Sequence, residues 1–364
     1  MPSFDRRRKR LMRISIDRLH ALYASVARVH GARDEEATIF ADGLLRADMR
    51  GHHTQGLGLL PYLDDLYEAG VMHFGRPITV ERESSAAALI DGHGGSGHVV
   101  GKKAMDIAIA KAESAGVGFV TVKRSGDYGM ASNYALQALD RGMIGISMST
   151  GPLLVAPWGG RDAYFCTNPL AIAVPSGERD PIVIDMATSA GSMGKVVLAA
   201  RDGKRLDEKA VVDGEGVYTD DPLRVILNVM DRESRMSGAL LPSGPKGFGM
   251  LLMVELLSAL LSGERDWLGE RPADPTGRAA YYAHTFIAIS VSQFQDPAAF
   301  AAAADRMIAT LTGSRPAQGF DAVRLPGGGA AATEREYRAN GIQLRDEEWA
   351  MVERLAQKRG IPLA

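Results

Sequence analysis

Gly92-His93-Gly94-Gly95-Ser96-Gly97-His98 follows the apolar run Ala87-Ala88-Leu89-Ile90-Asp91 and leads into a helix predicted from Lys102 to Ser114. A strand, a glycine cluster and a helix in that order invite a phosphate-binding reading, because backbone amides at a helix N-terminus favour anions. A dinucleotide fingerprint also needs an acidic residue at a set distance, after the following strand, and none stands there. The cluster is therefore read first as a tight turn closing a strand, with a phosphate cradle as the second reading.

The flanks fit a mixed sheet. Upstream, Leu19, Leu22, Tyr23, Val26, Val29, Ile39, Leu44 and Leu45 recur at helical spacing, predicting a helical unit from Ile16 to Leu66, and Pro77 to Glu83 alternates like a strand. Downstream, Val117–Val122, Ile144–Ser149, Leu170–Val174 and Ile182–Asp185 are short runs of strand character, with a helix predicted from Ala131 to Asp140. Strands separated by so little helix suit a mixed α/β fold better than a regular doubly wound one. Helices are predicted from Lys246 to Leu261 and from Pro297 to Leu311, a strand from Thr285 to Ile289, and an amphipathic helical tail from Glu334 to Arg359 around Asn340-Gly341. This divides the chain into an N-terminal helical domain over residues 1–80, joined by the C-terminal helices of 330–364, and a sheet domain over 81–329.

With 42 basic and 44 acidic residues among 364, the chain has no overall charge that would draw it to nucleic acid or a membrane. The single cysteine, Cys166, can form no intramolecular disulfide and leaves no thiolate set for a metal, and Leu251–Leu261 is too short and too interrupted to span a bilayer. A cytoplasmic protein with a small-molecule partner, and no metal, is the expectation. The basic opening Arg6-Arg7-Arg8-Lys9-Arg10 lacks the apolar segment of a signal peptide and reads as a solvated extension.

Several separated motifs then agree: Ala47-Asp48-Met49-Arg50-Gly51-His52, Ala156-Pro157-Trp158-Gly159-Gly160, Thr167-Asn168-Pro169, Asp185-Met186-Ala187-Thr188-Ser189, Gly194-Lys195, Pro245-Lys246-Gly247-Phe248-Gly249 and Leu325-Pro326-Gly327. In this order and spacing they resemble the malate and lactate dehydrogenase family of the second type, from about Leu19 to the C-terminus. The resemblance implies a non-Rossmann fold: a largely antiparallel central sheet that binds NAD or NADP, flanked by a helical domain, in a homodimer. It also implies cofactor contacts from Thr167, Asn168, Pro169, Asp185, Met186, Thr188, Ser189, Lys195, Lys246 and Gly247. The residue types suit the task, since Thr188 and Ser189 offer hydroxyls and Lys246 offers charge where Gly247 lets backbone approach a phosphate.

Two places depart from the family pattern. After Arg50-Gly51-His52-His53 the family continues Ser-His-Gly, with that histidine as proton donor; here Thr54, Gln55 and Gly56 stand there. Gln55 forms hydrogen bonds but cannot titrate. In Arg124-Ser125-Gly126-Asp127-Tyr128-Gly129, Asp127 takes the place of a second family histidine. The resemblance leaves Arg50 to hold a substrate carboxylate in a forked ion pair, with Tyr128 on the substrate side. His52 or His53 could replace the missing acid, or either could be a structural histidine.

Hydride transfer to a ketone creates an alkoxide that needs a proton or strong donor, whereas transfer to a protonated imine creates only a neutral amine. A carboxylate at Asp127 would favour the iminium. The expected activity is thus that of an NAD(P)-dependent oxidoreductase on a small carboxylate-bearing substrate, with imine or amine chemistry preferred over 2-oxo or 2-hydroxy acid chemistry. The competing reading is a dinucleotide-binding family member with a non-redox or lost activity. The segment from Leu223 to Gly238, with Arg224, Arg232 and Arg235, is read as a substrate lid or dimer contact, or as a solvated loop.

Overall fold

The computed structural model describes residues 11–206, 210–225, 237–265 and 282–363. The basic opening, Arg232 and Arg235 lie outside the described residues.

The chain begins with β1 (Leu11–Ile14), α1 (Ile16–Val29), α2 (Asp34–Met49) and α3 (Leu60–Glu68). Ser15 caps α1 by accepting the Arg18 N–H, and three acidic residues, Asp34, Glu35 and Glu36, face the N-terminal end of the α2 dipole. Then come β2 (Thr79–Glu83), β3 (Ala87–Gly95), α4 (Gly97–Ala115), β4 (Val117–Ser125), the short α5 (Ser132–Ala135), β5 (Met143–Ser149), β6 (Leu170–Val174), β7 (Ile182–Met186) and α6 (Met193–Arg201). Three two-residue strands, β8 (Val211–Val212), β9 (Tyr218–Thr219) and β10 (Ala239–Leu240), form a small separate sheet, followed by α7 (Gly244–Glu255), β11 (Tyr282–Ser290) and α8 (Pro297–Thr312). The tail holds α9 (Gly328–Asn340), β12 (Ile342–Arg345) and α10 (Asp346–Arg359). No helix among the described residues is long and apolar enough to cross a membrane.

The seven-stranded sheet runs β2-β3-β4-β11-β5-β6-β7, and every neighbouring pair is antiparallel except β3 with β4. One core cluster packs its faces, from Ile90, Met105 and Val120 to Phe286. A second cluster joins α1 to α3 with the tail, through Tyr23, Phe40 and Leu63 on one side and Ile342, Leu344 and Leu355 on the other. Asp64 fastens that union: its buried carboxylate takes Arg359 Nε at 2.7 Å, Lys358 Nζ at 3.2 Å and His30 Nε2 at 2.8 Å.

The structure differs from the sequence reading in four places. The tail is not all helix, because β12 pairs antiparallel with β1, a contact between opposite ends of the chain. The element after β4 is one α-turn continued by the 3-10 turn Leu136–Arg141 in place of a regular helix. The strand predicted near Thr285 is longer and sits at the centre of the sheet. Lastly, α4 starts at Gly97 and not at Lys102.

That early start clarifies the glycine cluster. Gly92, Gly94 and Gly97 do stand at G-x-G-x-x-G intervals. However, β3 continues to Gly95, and the head of α4 is closed by the chain itself: a Cβ on Gly97 would fall 2.2 Å from the Gly126 carbonyl oxygen and 2.3 Å from that of Asp127. Glycine is required there so that the Asp127 loop can lie against the helix.

Candidate functional site

Sheet register assembles the site. Tyr282, at the start of β11, pairs with Ser125 at the end of β4, while His284 pairs with Ser149 at the end of β5. Leu170, at the start of β6, pairs with both Met148 and Met186. One edge of the sheet therefore carries the Asp127 loop, Tyr282, Ser149, the Thr167-Asn168-Pro169 turn and Asp185.

Asp127 is held by two donors: the Gly129 N–H at 2.8 Å to Oδ1 and the Tyr282 hydroxyl at 3.0 Å to Oδ2. Burial pushes its carboxyl above the usual range, against the pull of these two bonds. Tyr282 is itself buried, and its oxygen lies 3.3 Å from the hydroxyl of Tyr62, a half-exposed residue of α3. With the Tyr282 proton given to Asp127, Tyr62 is the donor in that second bond. Tyr128 stacks on His284 with ring centroids 4.5 Å apart and planes 1° from parallel. His284 is fully buried, donates from Nε2 to the Gly126 carbonyl at 3.2 Å, and is pushed down to about 3 by burial, so it is neutral.

The signature turn meets this edge. Arg50 follows α2 directly, is 7% exposed, and gives Nη1 to Glu334 Oε2 of α9 at 3.0 Å. Glu334 is shared with Arg338 at 2.7 Å, so two guanidiniums face one carboxylate, and Arg50 Nε is buried without a partner among the described residues. Capacity for an incoming carboxylate remains on Arg50. His52 is pushed down by burial, and among the charges that act on it are Asp185 and Arg50. Gln55 lies in a 3-10 turn whose carbonyl would be 3.7 Å from a Cβ on Gly129, so it borders the Asp127 loop; Thr54 is exposed.

His53 faces the other way. Its Nδ1 lies 2.8 Å from Asp48 Oδ1, and Asp48, fully buried, also accepts the Tyr23 hydroxyl and the Leu57 N–H at 3.0 Å. Burial opposes charge on His53, but the hydrogen bond and charge of Asp48 outweigh it and the net shift is upward. Gly56 makes room for this arrangement, since a Cβ there would sit 2.3 Å from Asp48 Oδ2.

Three of the segments expected to hold the cofactor, at Thr167-Asn168, Thr188 and Ser243 before Lys246, are joined by hydrogen bonds. The Thr188 N–H and hydroxyl both donate to the Thr167 carbonyl at 3.0 Å, and the Ser243 N–H donates to the Thr188 carbonyl at 3.0 Å. Thr188 and Ser189 thus turn their protons to backbone, Ser189 to the Gly191 carbonyl at 2.7 Å. Asn168 is buried at φ 40°, held by bonds from Nδ2 to the Leu251 carbonyl and to Glu255 Oε2 at 2.9 Å. Asp185 accepts the Ser132 N–H at 2.9 Å, Pro169 is half-buried and Met186 is exposed. Lys195 and Lys246, both exposed, lie in the first turns of α6 and α7, and a Cβ on Gly247 would fall 2.7 Å from Ser243 Cβ. Two helix N-termini with exposed lysines beside a glycine suit a diphosphate.

A profile of the malate/L-lactate dehydrogenase family matches residues 14–353. The chain belongs to that family. Among its relatives, the malate dehydrogenase of Pyrococcus abyssi is 34% identical, with 96% of each chain covered. The ureidoglycolate dehydrogenase (NAD(+)) of Escherichia coli is 32% identical, covering 92% of this chain and 93% of that one. The solved structure of delta1-piperideine-2-carboxylate reductase from Pseudomonas syringae pv. tomato superposes with a TM-score of 0.80 at 28% identity, covering 95% of this chain and all of that one.

Sequence reasoning missed Tyr62, Tyr282 and His284, which belong to no motif quoted above. Arg224 pairs with Asp213, the residue after β8 of the small sheet, and residues 226–236 of the lid-or-loop segment are outside the described residues. The acidic cluster that could share a cation, Asp64, Asp65 and Glu68, is taken by Lys358 and Arg359.

Proposed function

We propose that the chain is an NAD(P)-dependent oxidoreductase of small carboxylate-bearing substrates, with imines and amines preferred over 2-oxo and 2-hydroxy acids. The observation that carries this reading is the Asp127 carboxyl held by Tyr282 and Gly129, with the Gln55 backbone against the same loop at Gly129, where the family pattern places titratable histidines. The bound nicotinamide would supply or accept the hydride. Thr167–Pro169, Asp185–Ser189, Lys195, Lys246 and Gly247 would hold the dinucleotide, Arg50 and Tyr128 the substrate, and Asp127 would stand opposite a cationic nitrogen. An iminium beside Asp127 restores the ionised carboxylate that burial disfavours, so the two charges stabilise each other. That a relative of the same fold is named for reduction of a cyclic imino acid supports the substrate class.

His53, bound to Asp48, is assigned to structure, and His52, near Asp185, is the histidine left for proton traffic. A homodimer is supported by the apolar stripe Leu252, Leu256 and Leu260, exposed at helical spacing along α7 and the π-turn after it.

Steady-state reduction of small cyclic imino acids against matching 2-oxo acids, with NADH and NADPH, tests the proposal. Faster turnover of 2-oxo acids overturns the imine preference. Tight cofactor binding with no turnover of either class favours the second reading, a dinucleotide-binding protein without redox activity.

A further inference from the structure

A cavity of about 90 Å³ lies between α2, α4 and the turn after α5, where His98 Nε2 comes against the Gly129 loop: a Cβ on Gly129 would fall 2.8 Å from it. His98, Arg46, Lys102, Asn133, Gln137 and Asp42 line it. His98 is 2% exposed, and neither ring nitrogen has a partner among the described residues. Its Cδ2–Nε2 edge faces Gly43, which also lines the cavity: a Cβ there would come 2.6 Å from Cδ2 and 3.4 Å from Nε2. Gln137 Oε1 is likewise buried and unpartnered. Buried polar groups of native proteins are almost always paired, so two such groups on one small cavity point to a ligand.

The charges indicate which kind. Lys102 is paired with Asp106 at 2.7 Å, and Asp42 is hydrogen-bonded to His20 at 3.0 Å; neither partner lines the cavity. Arg46 is half-buried, and its side chain's one hydrogen bond among the described residues is a long contact of 3.5 Å to the Asn133 carbonyl. A guanidinium with most of its fork unpartnered among the described residues, beside an imidazole that can donate or become protonated, is the donor set of an oxyanion site.

We propose that this cavity binds a small oxyanion, a short-chain carboxylate or inorganic phosphate, between Arg46 and His98 and separately from Arg50. The volume admits a molecule of a few heavy atoms, and the free acceptor of Gln137 suits the protonated oxygen of a hydrogen phosphate or a carboxylate's hydroxyl substituent. Burial holds the free imidazole neutral, pushed down to about 3, and a bound anion would raise it, so occupancy is readable at the ring.

The test is a titration of the full chain, labelled at histidine Cε1, with sodium phosphate and separately with sodium glycolate. The His98 resonance, assigned by its absence in His98→Gln, should move saturably with at least one of them, and which one identifies the source. Arg46→Gln and the charge-conserving Arg46→Lys should each weaken that response at least tenfold, while Arg50→Gln should leave it in place. A His98 resonance that moves with neither anion, or that responds in the Arg46 variants as strongly as in the natural chain, overturns the proposal. So does a response that disappears only in Arg50→Gln, which would place the anion at the substrate arginine.

Discussion

The Tyr282 hydroxyl donates to Asp127 Oδ2 at 3.0 Å across 155 residues of chain, joining the first residue of the central strand to the loop after its neighbour. The bond favours the ionised carboxylate, and burial disfavours it more strongly, so Asp127 titrates above the ordinary range. An acid raised above its unfolded value gives stability below the unfolded pKa and loses it as pH rises through the folded one. Asp127→Asn should therefore be more stable than the natural chain at pH 7 to 8, by about 1 kcal/mol, the usual gain when a strained functional group is removed. The gain should fade in acid. Imine reduction should fall by about a hundredfold or more, as when a preorganised charge is lost from a site. Tyr282→Phe removes one of the bonds that favour ionisation, so the acid limb of the imine-reduction profile should move to higher pH. An unmoved limb would show that Tyr282 only fills space.

The His53–Asp48 pair makes a different forecast, for stability and its pH dependence. His53→Ala leaves the buried Asp48 short of a donor, which should cost about 2 kcal/mol in urea unfolding near pH 6. A histidine whose folded pKa is raised contributes stability that is fully present below its unfolded pKa and is lost as pH rises through the folded value. The gap between the natural chain and the variant should accordingly narrow from pH 6 to pH 9. A gap that widens would mean that His53 is held neutral.

How much was legible in the sequence depended on whether a residue's partner was local. The helices α1, α2, α7 and α8 follow from the sequence pattern. The pairing of β11 between β4 and β5, and of β1 with β12, was not legible, because strand neighbours in an antiparallel sheet are chosen by packing over long separations. The same holds for the site. Gln55 and Asp127 stood out against the pattern of a resembling family, and the structure brings the Gln55 carbonyl and the Asp127 carboxylate both to Gly129. Tyr62 and Tyr282 have no local signal, since each gains meaning only from a contact with a residue far along the chain. Neither did His53 announce which of its neighbours it would face; the turn at Gly56 decides that, by letting Asp48 come close.

Asp64 and Arg359 give the last prediction. The carboxylate lies between α3 and α10, and although burial would raise its pKa, the hydrogen bonds from His30, Arg359 and Lys358 outweigh that and hold it well below the usual carboxylate range. A depressed acid contributes stability above its unfolded pKa, near 3.9, and loses it as pH falls through the folded value. Arg359→Ala removes two of the bonds to Asp64, at 2.7 and 2.8 Å, and should cost about 3 kcal/mol at pH 7, the low end for breaking a buried pair because Lys358 and His30 stay. With less to hold its pKa down, Asp64 in the variant protonates at higher pH, so acid unfolding followed by circular dichroism should begin at a higher pH than in the natural chain. Unchanged acid midpoints with a lower urea midpoint at pH 7 would assign the loss to packing of the Arg359 stem on α3 and not to the ion pair.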